Sequence, residues 1–441
     1  MRVQLANADA AMAESIDLRI DGISPGCGVQ LSLALEDENG EIWSADASFA
    51  ATSQGSFDLA HSPSLDGSYT GVDPAGLLWS ALPKERLRRP QAVLTGEARG
   101  GLMPQISPLA AFEYELTIKT NETEAQAHHL TRRRLPHGVS QTSLPTPLAG
   151  TLFEPAEPNG VGVLVIGGSE GGLFPARAAQ LAGSGFTTIA LAYFDYPGRP
   201  KAARAIAIEY FGEALAFLRA QKTVKRAGVI GVSRGSEAAQ LLAISQPEAV
   251  DALLCWVPSH LIHRGFDMAS GEDFMQEHLP MWVLDGEELP GIDHLPADCA
   301  ANETLKGDFL TTGGRRYRES YKRAWSAAAD SAQCIVIERY PGPILAVAGR
   351  DDALWPADLG AQAIIGASPH PASTALILEN AGHLIGTPNE PRPFPYLMQW
   401  GGGYMGLDNG FCAYGGTREG SAIAARASWR ASIDFLRTHC L

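Results

Sequence analysis

Residues 224–244, VKRAGVIGVSRGSEAAQLLAI, constrain this chain more than any other stretch. An apolar run, Gly228-Val229-Ile230, enters Gly231-Val232-Ser233-Arg234-Gly235, and a helix-forming segment follows at once. Strand, tight turn and helix are the context in which G-x-S-x-G acts as a nucleophile elbow. The serine has to take a strained backbone conformation to lift its hydroxyl above the sheet edge. Side chains two residues to either side would then collide with the neighbouring strand and helix, so both positions are glycine. The helix starting there points its positive end at the place where an oxyanion would form.

A serine hydroxyl is a weak nucleophile and needs a base, which in turn needs an orienting acid. On a fold of this kind the acid and the histidine follow the serine in chain order. The apolar strand PILAVAG ends in Gly349-Arg350-Asp351-Asp352, placing a carboxylate at the carboxyl edge of a sheet. Asp352 is preferred as the acid, with Asp351 left as a cap for the helix that follows. The next strand, TALILEN, leads to Ala381-Gly382-His383. Of the eleven histidines, His383 alone follows a buried strand after both serine and acid. His260 and His263 also follow a strand and are read as wall residues at most. The oxyanion donors are expected to be the backbone N–H of Arg234 and one from the loop Gly167-Gly168-Ser169-Glu170-Gly171-Gly172, with Ser169 preferred and Glu170 second. That loop lacks both the GxGxxG spacing and a Walker lysine, so a nucleotide cradle is not read there.

Around this core the chain changes grammar once. SIDLRIDGI, VQLSLALED, IWSADASFAA and FEYELTIK alternate apolar and polar residues, and turn-formers separate them; this predicts an all-β sandwich. His61 and Asp58 within it read as surface polar residues. From about 148, buried strands such as VGVLVIGG and ALLCWV alternate with helices such as AIEYFGEALAFLRAQ, whose apolar positions are Ile208, Phe211, Leu215 and Leu218. That predicts a mainly parallel sheet with helices on both faces, the α/β-hydrolase class. The boundary is drawn in the polar stretch after 121, giving domains 1–128 and 129–441. His128-His129 and Arg132-Arg133-Arg134 in that stretch read as a solvated connection or an edge strand. Residues 259–333 interrupt the pattern and read as an insertion over the sheet edge, while AARASWRASIDFLRTHC closes the chain as a helix.

The formal charge of −15 over 441 residues argues against nucleic acid or an anionic membrane as partner. Six scattered cysteines form neither a disulfide framework nor a zinc site. With no signal-like N-terminal core and no membrane-length apolar run, a cytoplasmic setting is expected. No metal or redox cofactor is called for.

Gly67-Ser68-Tyr69-Thr70-Gly71 and Asp73-Pro74-Ala75-Gly76-Leu77-Leu78-Trp79 resemble signatures of a known family, as do GGLFPARAAQLAGSGF, ALAYFDY, EYFGEALAFL, GVSRGSE, AGRDDALWP and GGTREGSAIAARASWRASIDFL. The family is that of the acyl-CoA thioesterases and bile acid-CoA:amino acid N-acyltransferases. The resemblance spans nearly the whole chain. It implies an immunoglobulin-like first domain, an α/β-hydrolase second domain, and the roles of nucleophile, acid and base at Ser233, Asp352 and His383. Thioester hydrolases of the family tend to carry serine and the conjugating branch cysteine, so Ser233 favours hydrolysis of acyl-CoA. The chain departs from the family at Ser236, where another small residue, often glycine, is usual. It also departs in the 380–416 stretch, from which part of the acyl pocket would be built. Arg315, Arg316, Arg318, Lys322 and Arg323 are candidates for the coenzyme A phosphates, set against the plainer reading of a solvated helix face. The rival readings are acyl transfer to an amine, hydrolysis of a simple ester, and a binding protein with an inactive hydrolase module.

Overall fold

In the computed structural model, described for residues 1–83, 104, 106–266, 279–292, 304–305, 314–329, 331–391, 397–399 and 411–441, the chain divides into two compact units. The first comprises Met1–His137 and Thr387–Phe394, the second Gly138–Gly386 and Pro395–Leu441.

The first unit is built from β1 (Arg2–Leu5), β2 (Asp9–Ala11), β3 (Leu18–Asp21), β4 (Gly28–Glu36), β5 (Ile42–Ala50), β6 (Ser56–Asp58), β7 (Asp66–Gly67), a short helix α1 (Gly76–Ser80), β8 (Leu82–Pro83), β9 (Phe112–Thr120) and β10 (Gln126–Arg133). One sheet runs β1-β3-β6; the other runs β2-β10-β9-β4-β5-β7, with β8 on β5. Period-two patterning decides which face goes inside. Val29, Leu31, Leu33 and Leu35 of β4, with Trp43, Ala45, Ala47 and Phe49 of β5, are buried while their neighbours face out. Phe49 of one sheet meets Phe57 of the other edge to face, ring centroids 5.0 Å apart.

The domain boundary differs from the expected 128/129. β10 crosses that point and lies inside the larger sheet, antiparallel to β9 and parallel to β2. Arg132, polar in sequence, is buried and donates to the carbonyls of Asn7, Glu14, Ser15 and Thr131. Arg133 pairs with Asp9 at 2.6 Å and His129 with Glu113 at 2.8 Å. The charges read as a solvated stretch are thus partners to neighbouring strands.

The second unit holds an eight-stranded sheet formed by β11 (Val139–Ser143), β12 (Gly150–Pro155), β13 (Val161–Ile166), β14 (Thr187–Leu191), β16 (Arg226–Val232), β17 (Ala252–Trp256), β22 (Ile344–Gly349) and β23 (Thr374–Leu378). Their order is β11-β12-β14-β13-β16-β17-β22-β23, parallel from β14 onward and antiparallel at β11 and β12. Every residue of β13, β17 and β22 is buried, as continuous apolar strands require when both faces are covered. Among the described residues of this unit the α-helices are α2 (Pro175–Ala182), α3 (Ile208–Arg219), α4 (Arg234–Ser245), α5 (Arg318–Ala327), α6 (Ala357–Ala367) and α7 (Arg418–Cys440). α3 buries the four apolar positions expected of it, and α7 buries Trp429 and Leu436. This is the α/β-hydrolase arrangement.

Short strands stand apart from the main sheet. β15 (Ile206–Ala207), β18 (Trp282–Leu284) and β19 (Glu287–Glu288) form one ribbon. β20 (Thr304–Leu305), β21 (Gly314–Arg315), β24 (Leu397–Gln399) and β25 (Phe411–Ala413) form another. The described part of 259–333 therefore gives no strand to the eight-stranded sheet. Among the described residues no helix is long and apolar enough to cross a membrane.

Candidate active site

β16 delivers Ser233 to the start of α4 with φ 53° and ψ −120°, a conformation that L-residues rarely adopt. Its N–H is tied to the carbonyl of Trp256 on β17 at 2.9 Å. The glycines on either side are obligatory for steric reasons. A Cβ on Gly231 would overlap the Gly235 carbonyl oxygen and lie 2.7 Å from the Ala239 Cβ; a Cβ on Gly235 would overlap the Gly167 carbonyl oxygen. Ser236 fits without a glycine because its hydroxyl donates to the Ser233 carbonyl at 2.6 Å.

The two strands that follow in chain order supply the partners. His383 Nε2 lies 3.0 Å from Ser233 Oγ, and His383 Nδ1 lies 2.7 Å from Asp352 Oδ2. The other carboxylate oxygen of Asp352 accepts the N–H groups of Leu354 at 2.9 Å and Trp355 at 3.2 Å. Asp352 is 0% exposed, His383 and Ser233 each 6%. Asp351 faces solvent instead, its N–H bonded to the Ala381 carbonyl. The geometry thus brings together the three side chains singled out in the sequence and separates the two neighbouring aspartates. With Nδ1 facing a fully buried carboxylate, the neutral imidazole carries its proton there and presents a lone pair to the serine.

A turn that the sequence resemblance had picked out joins the two loops. Gly415 and Gly416 have φ of 77° and 73°, and they bridge to Asp352 and Ala381 respectively. The carbonyl of Tyr414 accepts the His383 N–H at 2.8 Å. A Cβ on Gly415 would overlap the Asp351 carbonyl oxygen, and one on Gly382 would overlap the Gly415 carbonyl oxygen. Both loops can therefore close on the turn only because these positions lack a side chain.

The loop after β13 approaches the serine at Gly168, where a Cβ would lie 3.3 Å from Ser233 Cβ. Tyr193 holds that loop from below, its buried hydroxyl lying 3.0 Å from the Gly167 carbonyl and 2.7 Å from the Gly168 carbonyl. Ser169 is half-buried next in line, and Glu170 is exposed. Arg234 opens α4, so its N–H has no acceptor within the helix.

The basic cluster is dispersed. Arg318 bonds Asp358 at 2.7 Å and the Asp352 carbonyl at 3.3 Å, which makes it a support of the acid loop. Lys322 lies 3.8 Å from Glu319, Arg316 is exposed, and Arg323 borders a separate cavity of about 800 Å3 together with Arg264 and Glu288. The Arg315 side chain, and residues 392–396 and 400–410 of the 380–416 stretch expected to build part of the acyl pocket, lie outside the described residues.

Residues 13–146 match the family model for the acyl-CoA thioester hydrolase/BAAT N-terminal region. Residues 206–441, more than half of the chain, match that for the BAAT/acyl-CoA thioester hydrolase C terminus. The chain belongs to this family. Mitochondrial acyl-coenzyme A thioesterase 2 of Mus musculus is 28% identical over 95% of this chain and 84% of its own length. Bile acid-CoA:amino acid N-acyltransferase of Mus musculus is 29% identical over 98% and 96%. The peroxisomal succinyl-coenzyme A thioesterase of the same organism is 26% identical over 97% and 93%. Within a family that includes both thioesterases and an N-acyltransferase, the site has to decide between them.

What sequence reading missed at this site is Glu237. It sits on a helix whose pattern says only that the face is buried, and an acidic residue three positions after Arg234 was the one available signal. His263, read as a wall residue, is its partner.

Proposed function

We propose that this protein is a serine thioesterase that cleaves acyl-CoA to a carboxylic acid and coenzyme A. The observation that carries the reading is the continuous hydrogen-bonded series from Ser233 Oγ through His383 to Asp352 at a nucleophile elbow. In this reading Ser233 Oγ attacks the thioester carbonyl carbon as its proton passes to His383 Nε2. The Asp352 carboxylate stabilises the imidazolium through the proton on Nδ1. The N–H groups of Arg234 and Ser169 are the proposed donors to the tetrahedral oxyanion, favoured by the dipole of α4. Expulsion of the coenzyme A thiolate, protonated by His383, leaves an acyl-serine. Water activated by the freed Nε2 then adds, and the acid departs with Ser233 Oγ reprotonated. No step draws on a metal or redox group.

The supporting similarity is to relatives named thioesterases, and the serine nucleophile favours hydrolysis over conjugation. Transfer of the acyl group to an amine is the second reading, since one relative of nearly equal length is named an N-acyltransferase. An immunoglobulin-like character of the first unit and a cytoplasmic location belong to the same proposal; Cys27, Cys255, Cys334 and Cys440 are free thiols, which suits a reducing compartment.

The test is coenzyme A release from a panel of acyl-CoAs, by wild type and Ser233→Ala, with and without glycine or taurine. Release that requires Ser233 and ignores the amine is expected. Amide formation would move the protein to the transferase branch, and cleavage of a simple ester without any acyl-CoA turnover would sink the substrate class.

A further inference from the structure

One turn along α4 from Ser233 lies a buried polar cluster that the reaction above does not use. Four N–H donors converge on the carboxylate of Glu237. Arg234 Nη1 and His263 Nδ1 reach Oε1 at 2.9 and 2.8 Å, while the His263 backbone and Trp282 Nε1 reach Oε2 at 3.2 and 2.9 Å. Glu237 is 0% exposed and His263 2%.

Counting donors assigns the charges. A carboxylate has lone pairs for all four, whereas a carboxylic acid or an amide would set a proton of its own against a donor. Trp325 Nε1 lies 3.0 Å from His263 Nε2. An indole N–H only donates, so Nε2 is bare, the single ring proton is on Nδ1, and His263 is neutral. Both of its nitrogens are occupied, which removes it from acid–base duty. Burial pushes Glu237 up to about 7 against the pull of Arg234 and Trp282. The other titratable rings facing the cluster are Tyr193, which packs on Trp282, and Tyr321 and His260, which pack on His263 and Trp325.

The cluster meets the site on two sides. The Arg234 guanidinium, next in chain to Ser233, is held between Glu237 and the carbonyl of Arg264. The His263 ring stacks on Trp355 with centroids 5.1 Å apart and planes at 27°, and Trp355 in turn packs edge-on against His383 at 5.6 Å. Trp355 is pinned by its indole N–H to the Val257 carbonyl at 3.1 Å.

We propose that Glu237 and His263 are positioning residues for the reaction at Ser233: Glu237 fixes the first turn of α4 through Arg234, and through His263 and Trp355 it fixes the face of His383. This rests on the reading of Ser233 and His383 as nucleophile and base. One anion then braces both partners of the proton transfer, so displacement of either by a fraction of an ångström follows from its loss.

The test is the second-order rate of fluorophosphonate labelling against pH for wild type, Glu237→Gln, Trp325→Phe and Ser233→Ala, with a melting curve for each. Labelling reads serine reactivity whatever the natural acyl group. Glu237→Gln should melt cooperatively yet label about 100-fold more slowly. The acid limb of log rate against pH should be steeper in wild type, where Glu237 must also be unprotonated, than in Glu237→Gln. Trp325→Phe keeps the ring packing but frees His263 Nε2 to take a proton; the imidazolium then holds the Glu237 carboxylate ionised to lower pH, so the acid limb should move to lower pH. A folded Glu237→Gln with wild-type rate and slope overturns the proposal. Should that variant fail to fold, an unchanged rate and acid limb in Trp325→Phe overturns it instead. Labelling that persists in Ser233→Ala overturns the reading of Ser233, and this proposal with it, by a result separate from those two.

Discussion

Ser233 illustrates how a single residue is specified by what surrounds it. Its positive φ is held because Gly231 and Gly235 admit close contacts that no Cβ could share. Replacing Gly235 with Ala is therefore expected to displace Gly167 and the loop beside the serine, lowering kcat and stability together; a melt alongside steady-state kinetics checks both. Asp352→Asn leaves the shape of the site but reverses one hydrogen bond, favouring the wrong imidazole tautomer. Turnover of coenzyme A esters should fall by about 10^4 with little change in melting temperature. Ser233, Asp352 and His383 are legible in sequence because each follows an apolar strand in the chain order that the fold demands; β16 and β22 are buried as expected, whereas β23 before His383 is the half-exposed edge of the sheet. Glu237 and Arg132 are not legible by that route. Their partners, His263 and Trp282 in one case and the carbonyls of Asn7, Glu14 and Ser15 in the other, come from distant segments, and no local pattern encodes such pairing.

At the level of elements, the buried strands β13, β16, β17 and β22 and the helices α3, α4 and α7 could be read from apolar runs and a 3.6-residue period, whereas β11 lies in the stretch read as a polar connection and α5 in the segment read only as an insertion. What periodicity does not contain is how one loop leans on another. The glycine turn at 415–416 locks the loop after β22 to the loop after β23, so acid and base move as one piece. Gly415→Ala carries a Cβ into the Asp351 carbonyl at φ 77°, and should lengthen the Asp352–His383 contact. The expected result is a drop in kcat that exceeds the loss of stability, measured by paired kinetics and urea melts. Arg318 supports the same loop from α5. Arg318→Met leaves Asp358, nearly buried, with only the more distant Arg350, and should cost about 2 kcal/mol in the same melts.

For the molecule as a whole, the buried Glu237 sets stability and reactivity against each other. Its pKa in the folded protein stands at about 7, above the ordinary 4.5. Its contribution to stability is then fully present below about 4.5 and is lost as pH rises through about 7, while the ionised form that holds Arg234 and His263 grows in over the same range. Wild type should accordingly gain more stability than Glu237→Gln on going from pH 8 to pH 5, and lose activity in doing so; urea titrations at the two pH values decide it. The division into two units is likewise less simple than a cut between domains. Residues 387–394 belong with the first 137, and within that unit Asn389 donates to the Met12 carbonyl at 3.2 Å while Glu390 faces Arg134. On the ribosome, a chain that has emerged as far as residue 137 still lacks a piece of its own first unit, which arrives some 250 residues later. The first part to be synthesised is thus among the last to be finished, and a nascent chain interrupted anywhere between would carry a first unit awaiting its final segment.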